Sequence, residues 1–408
     1  PATVPQGTAP ASRRNARKRP AATPESSEMA VITCNEDLRQ LAMRRVPRAI
    51  FDYVDRGSYD EITIAANAEE LNRIRLRQRV MIDVSTRDTQ STLLGAPVSM
   101  PVALAPTGLA GLMHANGEIH AAQAAEAFGV PFALSTMSIL SIEQVRAAVR
   151  QPFWFQLYVM RDRGFIAELI KRAMAAECPA LILTADLQVQ GQRHRDIRNG
   201  LSVPPRLTLG TLFDSMCRPR WALGMLAAKS RSFGNLAGYA PTGRGLTTLS
   251  QWIAGQFDAS LSWKDVEWVR SLWPGKLIIK GILDPEDARL AVRAGADAIV
   301  VSNHGGRQLD GAPAAIEALP QIADAVASDT ELLFDSGVRS GQDVLKALAR
   351  GAHGTMIGKA FLYGLGAMGN SGVTRALELI RAELDVTMAL TGTRDLRSVD
   401  RGVLWSVD

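Results

Sequence analysis

Eight short apolar runs, most of them followed by a helical stretch, constrain this chain more than any other feature. They are 101–106 (PVALAP), 131–136 (PFALST), 153–159 (FWFQLYV), 180–186 (ALILTAD), 276–281 (KLIIKG), 298–304 (AIVVSNH), 331–337 (ELLFDSG) and 354–360 (GTMIGKA). Each is apolar nearly throughout rather than alternating, which is what a parallel sheet covered on both faces requires. Amphipathic stretches lie between them, such as 286–294 (EDARLAVRA) and 342–349 (QDVLKALA). Successive starts are 22–33 residues apart, except for one gap of 96 between Ala180 and Lys276. One β-α unit therefore repeats, with a single large insertion after the fourth. Eight such units predict an α/β fold closed into a (β/α)8 TIM barrel. An open doubly wound sheet would usually need a glycine-rich first turn, and no G-x-G-x-x-G run is present.

The flanks read differently. Residues 1–28 are rich in Pro, Ala, Thr and Ser around Arg13, Arg14, Arg17, Lys18 and Arg19. They predict a disordered basic tail, with a targeting segment as the sharper alternative. Residues 29–100 are expected to form an N-terminal helical extension leading into the barrel, with Asn35 capping a first helix and Pro47 opening a second. The barrel then spans 101–390, its insertion 187–275, and a C-terminal tail 391–408. Residues 89–117 carry no charge and are long enough to cross a bilayer, but Pro97, Pro101, Pro106 and four glycines break any helix there. They are expected to form a buried strand and its loops.

Three scattered cysteines (Cys34, Cys178, Cys217) exclude a disulfide framework and a zinc ribbon. Five scattered histidines argue against a metal site, and the chain reads as reduced and intracellular, with no secretory signal at its start. The net charge is +5. No zinc-finger, RNP or helix-turn-helix pattern accompanies it and aromatics are only 6%, so nucleic acid is not an expected partner.

Barrels carry their chemistry at the C-terminal ends of the strands, and those ends are polar here: Thr107, Ser135, Gln156 and Tyr158, Thr184 and Asp186, Lys280, Ser302 to His304, Asp335, and Gly358-Lys359. The seventh and eighth ends suit a phosphate. Asp335-Ser336-Gly337-Val338-Arg339 offers glycine-freed N–H groups and a guanidinium, and Gly358-Lys359 adds a close backbone approach and a cation. The run 302–310 (SNHGGRQLD) places His304 three residues before Arg307, a base beside an anion clamp, with Asp186 available to stabilise an imidazolium. Arg193 supplies a second guanidinium, and two arginines in one pocket imply a carboxylate substrate. Lys280 admits two readings: a Schiff-base nucleophile of an aldolase, or a permanent charge beside an electron-rich ring.

Taken together, 302–310, 335–339, Lys280-Gly281, 155–158 (FQLY) and 105–107 (APT) resemble the FMN-dependent 2-hydroxy-acid dehydrogenase/oxidase family over about residues 30–398. The stretches 262–270 (SWKDVEWVR) and 280–292 (KGILDPEDARLAV) are similar to its bacterial respiratory L-lactate dehydrogenase branch. The resemblance implies the same barrel, FMN as cofactor and oxidation of an L-2-hydroxy acid, L-lactate to pyruvate as the first choice and, as the second, mandelate or another 2-hydroxy acid by a dehydrogenase or oxidase using oxygen. It implies His304 as base with Asp186 as its partner, Arg193 and Arg307 on the substrate carboxylate, and Tyr53 and Tyr158 bonding substrate. Lys280 would stand beside flavin N1 and O2. Thr107, Ser135, Gln156, Thr184 and Ser302 match flavin-ring and ribityl contacts, and Asp335, Gly337, Arg339, Gly358 and Lys359 ribityl and phosphate contacts. Two electrons would pass to flavin N5, as hydride or through a carbanion. The family usually carries arginine where Lys359 stands. Gln188 replaces a frequent proline, Gln190 and Met137 fall near the substrate side chain, and Gly108 matches the dehydrogenase pattern rather than that of the plant oxidases.

The insertion bears on the electron acceptor. No acid lies between Asp214 and Asp258, while Arg218, Arg220, Lys229, Arg231 and Arg244 interleave with Trp221, Leu223, Met225, Leu226 and Phe233. Basic plus apolar is the composition of a membrane-surface segment. Residues 215–257 are therefore expected to touch the inner face of the cell membrane, where quinone or another respiratory carrier would take the electrons; a homotetramer is the expected assembly. The other reading of the segment is a lid packed on the barrel or on a neighbouring subunit.

Overall fold

The computed structural model describes residues 31–200, 209–230, 232–237, 239 and 255–405. The expected tail 1–28 and its boundary at Met29 lie outside them, as do Arg231 and Arg244 of the insertion. Eight parallel strands form at the eight apolar runs: β1 Val102–Leu104, β2 Ala133–Ser135, β3 Trp154–Leu157, β4 Ala180–Thr184, β5 Lys276–Ile282, β6 Ala298–Val301, β7 Glu331–Phe334 and β8 Gly354–Ile357. Each pairs with the next from β2 to β8, and β8 pairs with β1. The ring closes where Leu104 bridges Phe132 in parallel and its N–H donates to the Pro131 carbonyl at 2.8 Å. The chain is a (β/α)8 barrel, as the repeat predicts.

The barrel is a packed core. Ala103, Ile182, Ile278, Val300, Leu333 and Met356 fill it, with Leu93 in the same cluster. Leu93 comes from a short antiparallel hairpin, Ser91–Leu93 with Ala96–Val98. A Cβ on Gly354, at the start of β8, would lie 2.4 Å from its Cδ2, so the hairpin plugs the N-terminal end of the barrel. The uncharged stretch 89–117 is thus hairpin, strand and one short helical segment ending at the start of helix Gly117–Phe128, and no helix among the described residues is long and apolar enough to cross a membrane.

Among the described residues, three helices precede the barrel, Asn35–Arg45, Arg48–Asp55 and Ile62–Arg73. Asn35 does not cap the first of them. Cys34 holds that position, and the Asp37 carboxylate accepts from the N–H groups of Thr33 (2.8 Å) and Cys34 (3.2 Å). The Asn35 amide is instead committed to the Arg339 carbonyl at 2.6 Å, so a long-range partner overrides the local cap. Pro47 does open the second helix. At the other end, helix Asn370–Thr391 packs on Lys359–Met368. Residues beyond it run back along the lead-in, where Leu404 bridges Leu76 and the Trp405 N–H donates to the Arg75 carbonyl.

Candidate active site

The C-terminal strand ends surround a cavity of about 320 Å³, within the range of small-molecule sites. Twelve of the residues expected at a site line it: Tyr53, Thr107, Tyr158, Arg193, Lys280, His304, Arg307, Asp335, Gly337, Arg339, Gly358 and Lys359. Ser135, Gln156, Thr184, Ser302 and Asp186 do not. The first four form a buried belt beneath the cavity, turned toward one another and toward Lys280 and Asp335. Ser135 Oγ donates to Gln156 Oε1 (2.9 Å) and Gln156 Nε2 to Thr184 Oγ1 (3.0 Å). Lys280 Nζ donates to Ser302 Oγ (2.8 Å), which donates to Asp335 Oδ2 (2.9 Å).

Lys280 is brought to the cavity by a break in register. Lys280 pairs with Val300 but Ile282 with Val301, a bulge centred on Gly281. Gly281 has φ +103°, and a Cβ there would lie 2.6 Å from Asp186 Cγ; only glycine lets β5 pass that carboxylate. Lys280 also pairs with Asp335 at 2.8 Å. Burial pulls its ammonium toward neutrality, but the Asp335 and Asp186 carboxylates outweigh this and hold it above the usual lysine range. The Schiff-base reading finds no support here, because a nucleophilic lysine needs a neutral amine and this one is paired with Asp335.

His304 follows β6 with φ +59°, a costly conformation for a side chain larger than glycine and one concentrated at functional sites. Its backbone N–H donates to Ser302 Oγ at 3.0 Å and its Nδ1 bonds Asp186 Oδ1 at 2.9 Å. With Nδ1 carrying the proton toward the carboxylate, Nε2 is left as an acceptor. Burial is the main influence on the imidazole and lowers its proton affinity. Asp186 opposes that, Lys280 and Arg193 add to it, and the net shift is below the usual histidine value. Asp186 stays ionised despite burial because His304 and Lys280 lie beside it.

Arg307 stacks over the Tyr53 ring at 4.7 Å and donates to the Tyr53 and Arg56 carbonyls. Arg193 Nε donates to the Arg307 carbonyl at 3.3 Å. Asp196, which the sequence reading passed over, is buried beside the pair. Burial raises its pKa against the pull of Arg307 and Arg193. Tyr158 is held well above the usual phenol range, by burial first and then by Asp186 and Tyr53. It is therefore a hydrogen-bond donor at any working pH.

At the far end, Lys359 Nζ donates to the Asp55 carbonyl at 3.0 Å. Burial, with Arg339 and Arg307 as neighbouring cations, pushes its ammonium well below the usual lysine range. The Asp55 carboxylate is taken by Arg39, at 2.6 and 2.8 Å, and by the Tyr363 hydroxyl at 2.8 Å. This end of the cavity thus gathers cations that its own carboxylates do not neutralise, the electrostatic complement of a phosphate. On the same wall Thr107 Oγ1 is buried with no hydrogen-bond partner, as expected of an atom whose partner is a ligand. Both observations fit FMN.

Other wall residues were not foreseen as site residues. Asn67 exchanges amide bonds with Asn303 at 2.9 and 2.7 Å, fixing helix Ile62–Arg73 against the His304 loop. Phe233 and Phe257 reach the cavity from the insertion. Asp196 was visible in the run GQRHRD that contains Arg193. Neither Asn67 nor Phe257 carries a local signal.

Comparison with known proteins agrees with this geometry. The FMN-dependent dehydrogenase family model matches residues 42–406. An L-lactate dehydrogenase of Caulobacter vibrioides is 48% identical over 376 residues, 92% of this chain and 98% of that protein. One of Acinetobacter baylyi is 46% identical over 375 residues, 92% and 97%. A solved structure of the monotopic membrane protein (S)-mandelate dehydrogenase superposes with a TM-score of 0.87 at 36% identity, covering 92% of this chain and all of that one. The chain belongs to the FMN-dependent dehydrogenase family and is an FMN-dependent 2-hydroxy-acid dehydrogenase.

Proposed function

We propose that this chain oxidises L-lactate to pyruvate, with the substrate carboxylate on Arg193 and Arg307. The hydroxyl lies within reach of His304 and Tyr158, and Tyr53 supplies a second phenol. His304 Nε2 accepts a proton from the substrate, and Asp186 stabilises the resulting imidazolium. FMN, when bound, supplies the two-electron acceptor. Lys280 and Asp335 would hold it from the strand ends, Thr107 and Gly337 would contact its ring and ribityl chain, and Arg339, Gly358 and Lys359 would hold its phosphate. Ser135, Gln156, Thr184 and Ser302 are proposed to support these groups from the belt. The observation that carries the reading is the bond from His304 Nδ1 to Asp186 at 2.9 Å, in a cavity shared with both guanidinium groups.

Anaerobic flavin bleaching across a panel of L- and D-2-hydroxy acids tests it. L-lactate should bleach the flavin fastest; preference for a D-acid, or no bleaching, would refute it. Mandelate belongs in the panel because the solved relative acts on that acid.

For the acceptor we propose quinone, reached by docking of the insertion on the inner face of the cell membrane. Phe213, Met216, Leu223 and Leu226 are 62–67% exposed there, beside Arg218, Arg220 and Lys229. Trp221 anchors this excursion by donating to the Leu112 carbonyl at 2.7 Å. The solved mandelate dehydrogenase is itself monotopic. Release of all the protein from membranes by a low-salt wash would count against docking. A homotetramer is proposed for the assembly, to be checked by solution mass.

A further inference from the structure

The insertion departs from the barrel after β4 and returns before β5, and it sends one aromatic ring into the cavity from each of two described stretches. Phe257 meets Tyr158 edge-on, ring centroids 6.1 Å apart at 76°. Its backbone is pinned on both sides. Phe257 bridges Met160 in antiparallel fashion, the Arg161 N–H donates to the Gln256 carbonyl at 2.9 Å, and Arg161 Nε donates to the Phe257 carbonyl at 3.2 Å. The next residue, Asp258, pairs with Arg163 at 3.1 Å.

Phe233 is fixed as firmly through its neighbours. The Gly234 N–H donates to the Ser138 and Ile139 carbonyls, and a Cβ on Gly234 would lie 2.4 Å from Ser141 N. Asn235, wholly buried, donates to the Ser135 carbonyl at 3.2 Å and to Ser138 Oγ at 3.0 Å, and accepts from the Ile142 N–H at 2.9 Å. Bonds of this number to a buried amide mark a fixed wall rather than a surface loop.

Tyr158 places Phe257 at the substrate end, because the charges acting on its phenol are those of Asp186, Tyr53, Arg193 and Arg307. Leu187 and Met137 line the same cavity and add apolar surface to that of the two rings. The same cavity takes the cofactor as well as the substrate, so its apolar wall borders the space left for the substrate side chain.

We propose that Phe257, with Phe233 as a second fixed ring of the cavity wall, is the specificity-determining wall, so that the insertion rather than the barrel limits the 2-hydroxy acid to a short aliphatic side chain. This rests on the reading of the cavity as a 2-hydroxy-acid site. A bulky substituent must displace a ring held by its own backbone, whereas a methyl group need not. Differential packing of this kind discriminates by about 10–200-fold.

The test is stopped-flow anaerobic flavin reduction by L-lactate, L-2-hydroxyisocaproate and L-mandelate in wild type, Phe257→Ala, Phe257→Leu and Phe233→Ala, with flavin content read from absorbance. Phe257→Ala should keep its flavin and raise the mandelate-to-lactate ratio of kcat/KM about tenfold or more. Phe257→Leu, which preserves bulk, should give a smaller rise, as should Phe233→Ala. A ratio within threefold of wild type in both Phe257 variants, with lactate still bleaching the wild type, overturns this inference and leaves the functional reading standing. Wild-type flavin untouched by all three acids overturns both.

Discussion

The belt beneath the cavity and the cationic end of its wall are built from the same kinds of residue but satisfied in opposite ways. In the belt, Ser135, Gln156, Thr184, Lys280, Ser302 and Asp335 form chains in which each side chain bonds its neighbour. At the cationic end, Arg307, Arg339 and Lys359 stand as neighbouring cations, and Asp55, a carboxylate beside Lys359, is already committed to Arg39 and Tyr363. Groups that must fold unaided are paired within the chain, since a buried unpaired charge is expensive. Groups that meet a ligand carry their unmet electrostatics until it arrives.

The largest effect expected from breaking this division is at its catalytic edge. His304→Gln should retain flavin yet slow reduction by L-lactate by roughly 10³-fold; stopped-flow measurement within tenfold of wild type would remove His304 as the base. Because burial holds the imidazole below its ordinary value, the reactive neutral form persists through neutral pH. Wild-type kcat/KM should therefore fall only on the acid side, below about 6.5.

Next is the belt itself. Lys280→Met leaves the Asp335 carboxylate buried and unpaired, and should cost about 3 kcal/mol of stability in denaturant titration. A loss under about 1 kcal/mol would show that the belt is not a paired unit. Smaller again, Arg193→Lys keeps the charge but loses the planar fork, so KM for L-lactate should rise roughly tenfold with flavin content unchanged.

The smallest effect sharpens the contrast most. The Lys359 ammonium is destabilised by burial and by Arg339 and Arg307, and a bound phosphate dianion restores it. Binding then takes up a proton, so FMN affinity should rise as pH falls through the range below the usual lysine value. Lys359→Arg, always charged, should flatten that slope, a change of a few-fold per pH unit at most. Fluorescence titration of the apoprotein at several pH values measures it; equal slopes in the two proteins would separate Lys359 from the phosphate.

Much of the site was legible because a barrel aims its strand ends at one place. Once eight buried runs are recognised, Thr107, Lys280, His304, Asp335 and Lys359 must converge, whatever their separation along the chain. Their depth was not legible. Ser135, Gln156, Thr184 and Ser302 stand at strand ends much as Thr107 does, yet the first three bond in a chain and Ser302 bonds Lys280 and Asp335, while Thr107 Oγ1 is left without a partner on the cavity wall. Which polar atom faces inward depends on strand tilt and on the bulge at Gly281, and residue type encodes neither. Asn35 shows the same limit, since its helix-capping chemistry is spent on the Arg339 carbonyl far along the chain.

Apolar periodicity was enough to determine the barrel, and the polar residues that interrupt it pointed to His304, Asp186 and the two arginines, because backbone satisfaction and burial act locally and repeat. Tertiary structure alone decided which of those groups line the cavity, that Asp196 and Asn67 stand behind them, and that Phe233 and Phe257 reach it from the insertion. Those facts depend on contacts between segments tens to hundreds of residues apart, whose energies no single stretch of sequence contains.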